Sequence, residues 1–93
     1  MNKAEYTLMT VAGDQTLDAP WRTPFLPASG DLMKLPSGHR GDDGIWEQFK
    51  VNIVVHFHNR TEVWVEPYVD LEDGQIRDIF SDCLEFYGNT VEG

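Results

Sequence analysis

His56 and His58 stand two residues apart in the run Phe49-Lys50-Val51-Asn52-Ile53-Val54-Val55-His56-Phe57-His58. On a strand that spacing turns both imidazoles to one side, as a pair of zinc or iron ligands requires. A site needs further ligands, and the chain offers Glu62 across a hairpin, His39 in a loop and Cys83. Cys83 falls in the apolar stripe of a helix, which assigns it to a core as a small hydrophobe and not to a site as a nucleophile. In the plainer reading His58 pairs with Glu62 at the surface. A metal-binding protein or metal-dependent enzyme using His56 and His58 is thus the alternative reading; the leading one is a protein that is not an enzyme and uses no cofactor. The stretch Gly38-His39-Arg40-Gly41-Asp42-Asp43-Gly44 has neither the Lys-Ser/Thr of a phosphate loop nor the spaced acids and distal Glu of a calcium loop, so it reads as a connector.

The second constellation is Glu62, Trp64, Glu66, Tyr68 and Asp70, in which acids alternate with large aromatics along one side of a strand. Trp and Tyr are the anchors that protein interfaces favour, and carboxylates beside them select a basic partner. Glu72 and Asp73 continue the series, and Asp78 and Asp82, with Glu85, fall near one line on the outer side of a helix. These residues form the expected partner-binding set. The competing reading covers Trp64 and Tyr68 with the proline-rich segment that carries Trp21, Phe25 and Leu26.

The elements that would position these residues follow from periodicity. Glu5–Ala12 reads as a strand closed by the turn Gly13-Asp14. Pro20, Pro24, Pro27 and Pro36 then interrupt regular pairing, leaving one short strand over Asp31–Leu35 and a flexible loop over about 36–44. Alternation of apolar and polar residues predicts a central hairpin over about 46–58 and 62–71. Only Val54 breaks the pattern. The expected register sets Phe57 opposite Val63, Val55 opposite Val65 and Val51 opposite Val69, with Pro67 marking an edge or a bulge. Ile76, Ile79, Phe80, Cys83, Leu84 and Tyr87 recur at helical spacing, which predicts a helix over about 74–87, capped by Asp73 and stopped by Gly88-Asn89. Beyond it, Thr90–Gly93 is expected to fray. The fold class is therefore α+β: one small domain over 1–93, an antiparallel sheet of three to four strands and a C-terminal helix docked on the odd-numbered face of the hairpin.

Charge narrows the function. Sixteen acids oppose seven bases for a net charge of −9, and residues 61–93 hold nine of the acids with Arg77 as their one base. Such a field repels nucleic acid and acidic membranes and attracts basic protein surfaces. No apolar run reaches the ~20 residues of a membrane span, the first residues lack the apolar core of a signal peptide, and one cysteine forms no internal disulfide, so a cytoplasmic protein is expected. The expected partner is the basic surface of a nucleic-acid-binding protein or complex, occluded by carboxylates standing where phosphates would sit. In size, compactness and charge the chain resembles the small anti-defence inhibitors of phages and mobile elements, anti-CRISPR proteins and nucleic-acid mimics among them, a likeness of composition that identifies no family. A structural adaptor whose acidity serves solubility is the further alternative.

Overall fold

The computed structural model describes residues 3–36 and 46–92. Among them, five strands and one helix follow in the order β1 (Ala4–Ala12), β2 (Gln15–Thr23), β3 (Leu32–Pro36), β4 (Trp46–His56), β5 (Thr61–Pro67) and α1 (Asp73–Glu92). The strands form a single mixed sheet, ordered β2-β1-β5-β4-β3 and curled into a half-barrel. This corrects the expected antiparallel sheet of three to four strands. The hairpin β1–β2 and the meander β3–β4–β5 are each antiparallel, and a short parallel contact, Thr7–Met9 on Glu62–Trp64, joins them.

The missing strand is β2, whose Pro20 argued against it. Pro20 sits across from Thr7 in a strand paired on one side only, and an edge strand turns alternate backbone groups outward, where an absent N–H costs no ladder bond. Pro67, expected to mark an edge or a bulge, instead ends the central strand β5, beyond the part that β1 pairs and away from the irregularity at Asn52. Of the expected loop over 36–44, Pro36 is the buried last residue of β3 and the rest lies outside the described residues.

The hairpin register also differs. Val51 faces Val65, and after an irregularity at Asn52 Ile53 faces Trp64, Val54 faces Val63 and Val55 faces Glu62. Asn52 is the extra residue of a β-bulge, so the side chains beyond it exchange faces. Phe49 and Val51 point into the core, whereas Ile53 is 54% exposed on the outer side and Val54, the residue that broke the alternation, lies against the core.

Helix α1 lies mainly along β2, β3 and β1, and its apolar stripe also meets the odd-numbered inner face of the hairpin, Phe80 packing on Phe49 with ring centroids 6.3 Å apart. Since β2 and β3 are the two edges of the sheet, the helix spans the mouth of the half-barrel and closes it. Ile76, Ile79, Phe80 and Cys83 fill the concave side with Tyr6, Leu8, Trp21, Leu35, Phe49, Val51, Val63 and Val65. Phe86 stands between Trp21 of β2 and Trp46 of β4, with ring centroids 5.5 and 5.4 Å away, so one ring links the β1–β2 hairpin to the β3–β4–β5 meander. The helix starts one residue earlier than an Asp73 cap would have it: Glu72 accepts the first helical bond from Ile76 N–H, while the Gln75 side chain accepts from Glu72 N–H, one half of a capping box. It also continues through Gly88-Asn89 to Glu92, where a stop was expected.

Phe86→Ala should destabilise the protein by about 2–3 kcal/mol, less than a fully buried ring because Phe86 is half-buried. Urea denaturation checks this, and a loss below about 1 kcal/mol would show that the ring does not hold hairpin and meander together.

Candidate functional site

The expected partner-binding residues divide between two sides of the molecule. On the outer face of the sheet β5 presents Glu62, Trp64 and Glu66; on the opposite side lie the link from β5 to α1 and the outer surface of the helix.

The outer group is tightly organised. Glu62 is only 5% exposed, its carboxylate accepting from Arg60 Nη2 at 2.5 Å and from Trp64 Nε1 at 3.1 Å. The Arg60 guanidinium also lies over the Phe57 ring, 5.3 Å from its centroid. Phe57, Arg60, Glu62 and Trp64 thus form one chain of contacts along the outer face, and the Glu62 charge is spent inside it. Glu66 is exposed and accepts from Asn52 Nδ2 at 2.7 Å, so the bulge residue steadies it. The proline-rich segment does not cover Trp64: Trp21 points into the concave core, and Phe25 is 83% exposed. That segment crosses from the β2 edge to the β3 edge and, with Trp21, Leu32 and Met33, lines an open cleft of about 350 Å³ at the seam.

The second group is displayed. Tyr68 is 56% exposed, Val69 is exposed beside it, and Asp70, Glu72, Asp73 and Asp78 all face solvent. Asp82 is half-buried and engaged. The β1–β2 turn brings Asp14 to the same corner, because Gly13 lies close under Asp73: a Cβ on Gly13 would stand 2.7 Å from Asp73 Oδ2. Gly13 has φ of 66°, the left-handed turn conformation that glycine adopts without strain. Asp73 in the first turn is favoured by the positive end of the helix dipole, so the fold gathers these carboxylates at little electrostatic cost. Sequence reasoning missed Asp14 here, since its proximity depends on how β1 and α1 pack.

His56 and His58 do not share a strand side: His56 ends β4 and its Nδ1 is 3.2 Å from Thr61 Oγ1, whereas His58 lies in the turn after it. Among the described residues no three His, Cys, Asp or Glu side chains are placed to hold one metal ion. His39 lies outside the described residues. Cys83 is fully buried, and burial, reinforced by the charge of Asp82, pushes its thiol from 9.0 up to about 12. The Tyr6 hydroxyl is raised by burial from 10.0 to about 12, against a smaller opposing effect of its 2.9 Å hydrogen bond with Thr23. No described helix is long and apolar enough to cross a membrane. No protein-family model, curated protein or solved structure matches the chain.

Two outcomes follow. Cys83 and Tyr6 hold their protons more tightly folded than unfolded, so the stability they contribute is complete below about pH 9 and is lost as pH rises toward 12. Urea midpoints should fall over that range, less steeply in Cys83→Ala; a flat profile would contradict the burial of both groups. Glu62→Ala leaves the Trp64 indole N–H without its acceptor and should cost about 1–3 kcal/mol with a shift in tryptophan emission, whereas an unchanged midpoint would mean that the Phe57–Trp64 chain has no structural role.

Proposed function

We propose that the chain is a non-enzymatic interaction protein that occludes a basic surface, that of a nucleic-acid-binding protein or complex, through the corner formed by the β5–α1 link and the first turns of α1. One observation carries this reading: Tyr68 and Val69 are turned out to solvent among Asp70, Glu72, Asp73 and Asp14. An exposed aromatic flanked by unburied carboxylates has the composition of an anchor with an electrostatic guide. Asp78 extends the field along the helix. The carboxylates substitute for phosphates, so the partner's arginines and lysines meet fixed anions on a rigid helix start, and association is fast at low salt and slows as salt rises.

The experiment is capture of the partner from an extract of the native host, its identification, and measurement of binding between purified proteins at about 50 and 500 mM salt. Wild-type binding should weaken by about tenfold or more at the higher salt, and the double variant Asp70→Lys/Glu72→Lys should lose about 100-fold, a few kcal/mol spread over two charge pairs. Tyr68→Ala should speed dissociation with little change in the association rate. A partner bound equally well by the charge-reversed variant would contradict the proposal and leave the acids a role in solubility alone.

A further inference from the structure

The outer face of the half-barrel has a composition that the folding of one copy does not explain. An antiparallel sheet with one face on the core ordinarily turns polar residues outward. Here the ladder sets Met9 of β1 beside Trp64 of β5 and Trp64 beside Ile53 of β4, an unbroken apolar row across the three central strands. Val11 extends it on β1, and Val55 and Phe57 extend it on the β4 side. Val11 is 52% exposed and Ile53 54%. The Asn52 bulge is what turns Ile53 and Val55 outward; in an unbulged hairpin they would continue the inward series of Phe49 and Val51.

Charge distinguishes the possible occupants. On the outer face Glu66 is across the ladder from Lys50 and Glu62 is paired with Arg60, with Glu5 and Asp18 toward one edge and Lys34 toward the other, while the Arg22 guanidinium turns to the Tyr87 ring of α1, 5.7 Å from its centroid. Four acids there meet three bases, so that face is close to neutral. The excess negative charge sits in the other layer, where Asp70, Glu72, Asp73, Asp78, Asp82 and Glu85 oppose Arg77. Two copies of a chain of net charge −9 repel each other except where both present a nearly neutral apolar surface with most of their acids turned away, and this face meets that condition.

We infer that a second copy of this chain docks on the outer face, giving a two-fold dimer in which Trp64, Ile53 and Met9 of the two copies meet and both acidic corners point outward. The broad side of the molecule, 32 by 31 Å, is of the size that a standard interface of about 800 Å² per partner requires. A curled, twisted sheet is convex around its curl and waisted along it, so two such outer faces nest when crossed. Trp64, held by Glu62, arrives with little conformational freedom left to lose, as an interface anchor should. The inference is independent of the proposed basic partner, and it would make the protein bivalent toward one.

Sedimentation of the full chain over about 1–100 µM tests it. Wild type should approach twice the 10.6 kDa chain mass at the upper end, and raised salt should leave the dimer intact. Ile53→Asp should weaken dimerisation by about 100-fold or more, since it places a carboxylate at the centre of the apolar row. Val11→Asp, at a position equally open to solvent, should weaken it too and decides the matter if the first variant does not fold. Asp78→Lys, on the far layer, should leave the dimer unchanged. A monomer at 100 µM, a dimer indifferent to both outer-face variants, or a dimer broken by Asp78→Lys would each overturn the inference. Loss of partner binding in the Asp70/Glu72 variant with the dimer intact would concern the proposed function alone.

Discussion

A half-barrel of five strands has two free edges and a concave apolar face, and neither survives in water unless something spans the opening. In this protein that element is α1, which lies against β2 at one edge and β3 at the other, with Phe86 between Trp21 and Trp46. The parallel contact between β1 and β5 covers only three residues on each strand and is a narrow joint between hairpin and meander. The joint holds because the helix binds both halves from the concave side, while Thr10 Oγ1 donates to Val65 O across the same seam at 2.7 Å. Everything on the outside inherits its position from that closure, including the acidic corner at the helix start and the apolar row behind the sheet.

Local pattern carried part of this into the sequence. Ile76, Ile79, Phe80 and Cys83 announce a helix because four buried positions on one stripe leave no other periodicity, and the β4–β5 hairpin is visible in its alternation. What stayed hidden depends on neighbours distant in the chain. Pro20 reads as a strand breaker until β2 is known to be an edge, and the parallel pairing of Leu8 with Val63 has no local signature. The register failed at a single residue: Val54 interrupts the apolar series, and an interruption inside an otherwise strict alternation is how a bulge looks before it is folded.

The candidate site divides along the same line. A concentration of acids after residue 60 is legible by inspection, but whether a carboxylate is displayed or consumed is decided by the fold. Glu62, read as one member of a row, is buried between Arg60 and Trp64, while Asp14, 48 positions earlier, joins the exposed corner through Gly13. Burial and display follow from which face of β5 meets the Asn52 bulge and from where α1 begins. The net charge thus becomes directional, close to neutral on the outer sheet face and strongly negative on the helix side, and a directional charge can bind one kind of surface while leaving another free for apolar contact.

The central claim is that helix and both sheet edges stand or fall together. Native-state amide hydrogen exchange measures this most directly, because groups that open in one cooperative step share one opening free energy. The account predicts that amides in the middle of α1, in β2 and in β3 exchange with a common free energy and a common denaturant dependence. A helix that exchanges through its own low-energy opening while β2 and β3 remain protected would contradict it, and would show that the half-barrel stays closed without the helix.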